Sequence, residues 1–230
     1  MTTKKHDFIE LKFTGYHDEK VFDSNIEEDL KELNPDSNAE KTIIAIGEEM
    51  VVPALDKALE GKEIGKEYKV HVPYKEGFGE RKRELVKTIP LSAFRGHKID
   101  PKPGMSFLMD NMLVRVITVS GARVITDFNN PLAGKDIDYK FTIARILSDS
   151  ESEEKEKCEA FFKHFFRFVP EFKIEKDEVI VLGEKPIEEI VKIHKDKFKN
   201  LLKKDLAFKE KEPEKTTEEK VKASGKVKSR

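Results

Sequence analysis

Cysteine and histidine, two residue types that often ligate metals or take part in catalysis, are few and scattered in this chain. Cys158 is the only cysteine, which excludes an intramolecular disulfide and a zinc cage built from cysteines. The six histidines show no His-x-x-x-His spacing, and no glycine-rich loop has the phosphate-binding pattern. We therefore expect a function that requires no metal, no nucleotide and no other cofactor.

Three segments, occurring in a fixed order, carry the most specific pattern. They are residues 13–16 (FTGY) with 21–24 (VFDS), residues 46–55 (IGEEMVVPAL) with the glycines at 61 and 65, and residues 127–135 (DFNNPLAGK). Together they resemble the FKBP-type peptidyl-prolyl cis-trans isomerases, specifically the SlyD-like branch. The resemblance covers about residues 7–147, and the layout with a charged domain behind it is similar to the long archaeal members.

The activity implied by this resemblance needs neither a nucleophile nor a proton transfer. Rotation about an X-Pro bond must overcome about 18–20 kcal/mol because it destroys amide resonance. A site lowers that barrier when it desolvates the imide carbonyl and fits the twisted state better than either planar isomer. An apolar, aromatic pocket with few polar groups is what this chemistry requires.

The resemblance also assigns the residues of the pocket. The catalytic positions would be Asp23, Val52, Phe78 and Phe141. The substrate-binding positions would be Phe13, Phe22, Ile44, Val51, Leu55 and Leu132. Asp23 would place a carboxylate beside the rotating amide, and the Val52 backbone N–H would hold a substrate carbonyl. Without the resemblance, Phe13 and Phe141 are typical of core residues and Asp23-Ser24 is typical of a turn.

Three positions differ from the pattern common in the family. Leu55 stands where the pocket floor is often Trp, and the chain contains no Trp. Phe78 and Phe13 each stand where a Tyr is common. Because the pocket keeps apolar volume but loses polar groups, we expect real but reduced isomerase activity on short peptides and weak binding of macrolide ligands.

The periodicity of apolar residues predicts mostly short strands up to about residue 148. Alternating patterns begin at residues 8–13, 41–46 and 68–72, and a single helix is expected from Pro53. A second group of strand patterns runs from residue 85 to 126 and includes 105–109, 113–119 and 122–126, with a hairpin turn at Ser120-Gly121 between the last two. Strand patterns resume at 137–147. Beyond Ser150, a capping box and helical spacing of phenylalanines indicate a helix, a hairpin and a second long helix.

These elements predict an α+β protein: an antiparallel FKBP half-barrel wrapped on one short helix, with two additions. A β-rich domain would be inserted in the flap, and a helix-hairpin-helix domain would follow. The predicted boundaries are 1–84 with 129–150 for the isomerase domain, 85–128 for the insertion, 151–208 for the C-terminal domain and 209–230 for a disordered tail.

Methionines concentrate in the predicted insertion. Three of the five in the chain fall within residues 105–112, and methionine recurs on surfaces that bind many partners. They could equally pack the core of this small domain. Because the family's inserted domain binds unfolded chains, the resemblance implies that Met105, Phe107, Met109 and Met112 contact client polypeptides and hold them near the pocket.

Composition limits the other partners. Lys plus Arg is 44 and Asp plus Glu is 45, so no overall basic excess favours nucleic acid, although the segment 209–230 carries eight basic and five acidic residues. No apolar run approaches the ~20 residues of a membrane span, and the first residues do not form a secretory signal, so we expect a cytoplasmic protein. The phenylalanine-rich C-terminal domain could pack its own core, bind clients or form a homodimer.

Three functions remain open from the sequence. The first is a prolyl isomerase with a chaperone domain that acts on unfolded or nascent chains. The second is a holdase chaperone whose isomerase pocket is weak or vestigial. The third is a ribosome-associated factor that uses the basic tail. High Lys and Glu content with a single Cys is typical of thermophilic proteins.

Overall fold

The chain folds into two compact units, Met1–Leu147 and one that begins at Ser148. The computed structural model describes residues 1–96, 98–109 and 112–211. The strands of the first unit are β1 (Phe8–His17), β2 (Lys20–Ser24), β3 (Thr42–Ala45), β4 (Glu67–Val72), β5 (Val86–Pro90), β6 (Ser106–Met109), β7 (Met112–Ser120), β8 (Arg123–Asp127) and β9 (Ile137–Ile146). Its helices are α1 (Glu27–Leu33), α2 (Pro53–Ala58) and α3 (Leu91–Gly96). The predicted α+β class with antiparallel sheets is confirmed.

The first sheet contains β1, β2, β3, β4 and β9. All its pairings are antiparallel, and β1 lies beside β9 along most of its length while β3 and β2 pair with it on the other side. Helix α2 begins at Pro53, as predicted, and buries Ala54, Leu55 and Asp56. The apolar faces of this sheet and α2 form one core, because alternate strand residues point to the same face.

The second sheet, with strand order β5-β8-β7-β6, lies between β4 and β9 in the chain. Its inner face packs on α3, where Phe94 contacts Val116 and Val124. The predicted turn is present: β7 ends at Ser120, β8 begins at Arg123, and Gly121 has a φ of +56°. Helix α3 was missing from the prediction, which named only strands in this segment, because its six residues are too few to show helical periodicity.

Helix α1 was also missing from the prediction. None of its seven residues is buried, so the segment has no apolar stripe from which a helix could be recognised. Its acidic first turn and the Lys31–Glu27 ion pair stabilise it instead.

The second unit has α4 (Glu151–Phe161), a π-helical turn (Phe162–Phe166), β10 (Glu171–Ile174), β11 (Glu178–Gly183), α5 (Lys185–Leu202) and β12 (Asp205–Glu210). In addition to the expected helix, hairpin and helix, this unit has a further strand, β12, which pairs parallel to β11. The predicted domain end at residue 208 therefore falls inside a strand. Helix α4 starts where predicted, but Ser150 makes no side-chain capping bond. The Glu153 carboxylate instead accepts the Ser148 N–H.

Phenylalanine side chains fill the core of this second unit. Phe161, Phe162 and Phe198 are fully buried, and the rings of Phe161 and Phe198 meet edge to face at 4.9 Å. Cys158 is buried beside them, and burial raises the pKa of its thiol to about 12. The thiol is therefore protonated at neutral pH and serves packing. Of the predicted tail, residues 212–230 lie outside the described residues.

No helix in the described ranges has the length and apolar character needed to cross a membrane.

Candidate active site

The loop before α2 is shaped by a buried carboxylate. Asp56 accepts the Gly47 N–H at 2.8 Å and the Glu49 N–H at 2.9 Å, and its own N–H donates to the Val52 carbonyl at 3.0 Å. Glu49 has a φ of +56°, an uncommon conformation for a side-chain-bearing residue that these bonds stabilise. As a result, Val51 and Val52 enter the helix half-buried against the core.

The Val52 N–H makes no hydrogen bond to any of the residues that the structure describes. It precedes the first helical turn, where the helix itself supplies no acceptor for it. An amide N–H in this position is available to a ligand carbonyl, which is the role that the sequence resemblance implies for it.

Polar side chains at the end of β2 position the neighbouring part of β1. Asn25 accepts the Phe13 N–H at 2.8 Å and donates to the Leu11 carbonyl at 2.7 Å. Ser24 donates to the Phe13 carbonyl at 3.1 Å. These bonds fix the backbone of Phe13. Asp23, the residue before Ser24, is exposed.

Four aromatic rings then form a connected wall. Phe22 lies edge to face with Phe78 at 6.0 Å and with Tyr139 at 5.8 Å, and Tyr139 meets Phe13 in the same way at 6.0 Å. Such edge-to-face pairs are favoured by the aromatic quadrupole. Three of the four rings are phenylalanines, so the Tyr139 hydroxyl is the one polar group on this wall.

Gly15 makes this arrangement possible. A Cβ atom at this position would lie 2.6 Å from Phe22 Cζ and 2.9 Å from Tyr139 Cε1. Because real Cβ atoms do not approach other atoms so closely, any larger residue would push the two rings apart. The glycine of the FTGY motif therefore serves the packing of the pocket.

Below the aromatic wall, the candidate pocket is closed by residues of the core. Leu55, Ile44 and Phe141 are buried in the core, and Phe141 stacks on Tyr68 at 5.6 Å. Leu132 packs half-buried against the same core from the segment after β8. The structure thus brings nine of the ten predicted site residues together around one core, with Phe141 inside it. The tenth, Asp23, lies outside this core but interacts electrostatically with Tyr139, which belongs to it.

Tyr139 was not among the predicted site residues. It lies on β9 two residues before Phe141, so strand alternation places both on the same face, and this spacing was the available signal. Burial, with a smaller contribution from the nearby Asp23 carboxylate, raises the pKa of Tyr139 to about 12. Partial burial also raises the pKa of Asp23, although the Ser24 N–H opposes that shift.

The four predicted client-binding residues lie elsewhere: Phe107, Met109 and Met112 on the second sheet, and Met105 immediately before β6. Phe107 faces inward and meets Phe94 edge to face at 5.6 Å. Met109 is half-buried, whereas Met105 and Met112 are exposed. Sequence reasoning did not select Leu108, Leu113 and Ile117, which are exposed on this sheet. The period-two alternation of β7 around the buried Val114 was the available signal for Leu113.

Comparison with known proteins gives two family matches. Residues 1–94 match the family described as FKBP-type peptidyl-prolyl cis-trans isomerase. Residues 87–132 match the family described as FKBP26, IF domain. The second match covers the second sheet from β5 to β8.

Individual relatives give the same result. A short-type peptidyl-prolyl cis-trans isomerase of Methanocaldococcus jannaschii is 33% identical over 154 residues, which are 65% of this chain and 97% of that protein. The SlyD protein of Haemophilus influenzae is 35% identical over 98 residues, 40% of this chain and 50% of SlyD. That of Yersinia pestis is 31% identical over 112 residues, 46% of this chain and 56% of SlyD. The chain therefore belongs to the FKBP-type peptidyl-prolyl cis-trans isomerases, the enzyme family that its sequence motifs indicated.

Proposed function

We propose that this isomerase acts on X-Pro bonds in unfolded polypeptides that its second sheet captures. The inserted domain, residues 85–128, would hold the chain while the pocket turns the bond. The observation that supports capture most directly is the apolar outer face of this sheet. Leu108 and Leu113 are directly opposite each other on β6 and β7, and Leu108 is 75% exposed.

Within the pocket, the proline ring would lie against Phe22, Phe78 and the floor formed by Leu55. The Val52 N–H would bind the carbonyl that follows the proline. The exposed Asp23 carboxylate would face the rotating amide. None of these contacts breaks a covalent bond, so the pocket would act by fitting the twisted amide and excluding water from it.

Tyr139 supplies the hydroxyl that the other positions lack. Because its pKa is about 12, the hydroxyl stays protonated at any physiological pH and remains a hydrogen-bond donor. It belongs to the aromatic wall and interacts electrostatically with Asp23. We infer that it donates to the substrate carbonyl as the amide twists.

Tyr139→Phe tests this role because it removes the hydroxyl and keeps the ring. We expect kcat/KM for a short proline peptide to fall about ten-fold, the loss of one hydrogen bond of about 1.4 kcal/mol in the transition state, with unfolding unchanged. Tyr68→Phe is the matched control, because the Tyr68 hydroxyl accepts the Glu63 N–H outside the aromatic wall. An unchanged kcat/KM in Tyr139→Phe would remove Tyr139 from the mechanism.

Capture would raise the local concentration of client at the pocket. Tethering of this kind can raise apparent affinity by about 10²–10⁴-fold without new contacts at the second site. It would matter most for protein substrates, since a short peptide cannot reach both surfaces.

The double variant Leu108→Ser, Leu113→Ser tests capture. We expect catalysis of a proline-limited protein refolding reaction to fall at least about ten-fold, while turnover of a short proline peptide stays unchanged. Leu33→Ser on α1 is the control, since Leu33 is similarly exposed but outside the second sheet. Equal losses on both substrates would contradict capture by this surface.

A holdase with a vestigial pocket is the second candidate. The same exposed apolar face supports it, as does the absence of Trp from the pocket floor, where Leu55 stands. The refolding reaction separates the two functions. Acceleration at a low ratio of protein to client indicates catalysis, whereas suppressed aggregation only near equimolar ratio indicates a holdase.

We also propose that the second unit forms a homodimer. Its phenylalanines fill its own core, but Ile193 on α5 is 76% exposed, and Phe168 and Val169 are exposed as well. Sedimentation of the full chain and of a chain ending at Ser150 tests this. We expect a dimer for the full chain and a monomer for the shorter one; equal association states would exclude the second unit as the interface.

A further inference from the structure

A cleft of about 660 Å³ lies on the outer face of the second sheet, beside the segment that leads from β8 to β9. Leu113, Arg115 and Ile117 of β7 line one side of it, and Asn130, Pro131 and Lys135 line the other. It is therefore formed by the inserted sheet together with the isomerase domain, within the first unit.

The charge of this cleft is positive. Its lining contains three cationic side chains, Arg81, Arg115 and Lys135, and one carboxylate, Asp127. Arg81 already binds Asp127 through two nitrogens, Nε at 3.0 Å and Nη2 at 2.7 Å. Two cations therefore remain in excess, in a protein whose overall net charge is only −1.

Arg115 is the central cation of the cleft. It lies directly opposite Asp127 in the sheet, but that carboxylate is occupied by Arg81 and by the side-chain amide and backbone N–H of Asn129. Among the residues that the structure describes, none forms an ion pair with Arg115 or Lys135. Both are exposed and can bind an anionic group from outside.

Apolar side chains flank this charge. Leu113 lies two residues before Arg115 on the same face of β7. Ile117 lies two residues after Arg115, where the pairing with β8 shifts register, and it also lines the cleft. Both apolar side chains are exposed. An extended polypeptide also alternates its side chains at this spacing. A single charge between two apolar groups suits a peptide better than a polyanion, which would present phosphates without apolar side chains.

The cleft and the isomerase pocket are separated by one short segment. Asn130, Pro131 and Ala133 line the cleft, while Leu132 between them packs against the core that surrounds the pocket. The turn is fixed by the Asn130 side chain, which accepts the Leu132 N–H at 2.9 Å. A chain bound in the cleft thus lies next to the pocket.

We propose that this cleft selects polypeptide segments in which acidic side chains alternate with apolar ones, through Arg115 and Lys135. The proposal rests on the proposed function, because it names the class of client that the inserted sheet captures. Opposite charges on a binding surface determine specificity more than overall affinity. Acidic and apolar segments would be favoured as clients, and equally apolar basic segments would be disfavoured.

Binding of three fluorescent peptides to the full chain tests the proposal. The peptides are proline-free, share the same alternating apolar residues, and carry Glu, Gln or Lys at the polar positions. At low salt we expect Kd for the Glu peptide to be about three-fold below that of the Gln peptide and about ten-fold below that of the Lys peptide. At about 1 M salt, where the Debye length is about 3 Å, the three values should converge.

Matched variants identify the side chain responsible. Arg115→Gln should remove most of the Glu preference and leave Kd for the Gln peptide unchanged. Arg123→Gln is the control, because Arg123 is an exposed arginine of the same sheet that does not line the cleft. Equal losses in the two variants would overturn the proposal, because the preference would then come from overall charge.

The remaining outcomes are also decisive. If the Gln peptide binds but Glu and Lys peptides bind equally, capture stands and the acidic preference is wrong. If none of the three binds, both the capture function and the preference are wrong. If a single-stranded RNA oligonucleotide binds more tightly than the Glu peptide and loses affinity in Arg115→Gln, the cleft is a nucleic-acid site and the proposal is overturned.

Discussion

The hydrogen bonds of one buried side chain, Asn129, join the segment that precedes the second sheet to the segment that follows it. Its carbonyl oxygen accepts the Lys82 N–H at 2.8 Å, and its amide nitrogen donates to the Lys82 carbonyl at 2.9 Å and to Asp127 at 2.7 Å. Burial alone would raise the pKa of Asp127, but the bonds from Asn129 and Arg81 lower it, so the carboxylate remains ionised at neutral pH. The segments before and after the second sheet are thereby bound to each other.

The proposal that the second sheet captures clients while the pocket isomerises them depends on this link. An aromatic pocket without a nucleophile can only fit and desolvate its substrate, so its efficiency depends on how often a proline segment arrives in it. The apolar face of β6 and β7 would bring such segments close, and the cations of the neighbouring cleft would choose among them. Because Leu132 faces the pocket while its neighbours line the cleft, a small displacement of this segment would affect both surfaces.

Most residues of the proposed isomerase pocket fall in three ordered sequence motifs, each with a local structural reason. Pro53 begins a helix, Gly15 admits two rings, and Asn129 follows a strand at the point where the insertion ends. Tyr139 was not predicted because the resemblance assigns Phe141 to the pocket on the same strand. Strand alternation alone does not separate a pocket residue from a core residue. Tertiary packing decides that distinction, and no sequence pattern records it.

In the second sheet and the second unit, too, sequence patterns did not reveal which side chains are buried or where every element lies. A methionine-rich segment predicted a binding surface, but Phe107 packs inward whereas Leu108 and Leu113 face outward, because neighbouring strand residues point to opposite faces. Helix α1 has no buried face and α3 is short, so neither has a detectable period. Strand β12 was hidden because its last residues are charged and resemble the tail that follows them.

The most direct test of the account is Asn129→Ala, measured at a temperature where the variant remains folded, with Asn200→Ala on α5 as the control. If the link holds the capturing sheet beside the pocket, catalysis of proline-limited protein refolding should fall several-fold, while turnover of a short proline peptide and Kd for an unfolded client stay unchanged. Refolding catalysis that survives the substitution, or an equal fall in all three measurements, would contradict the claim that this link couples capture to isomerisation.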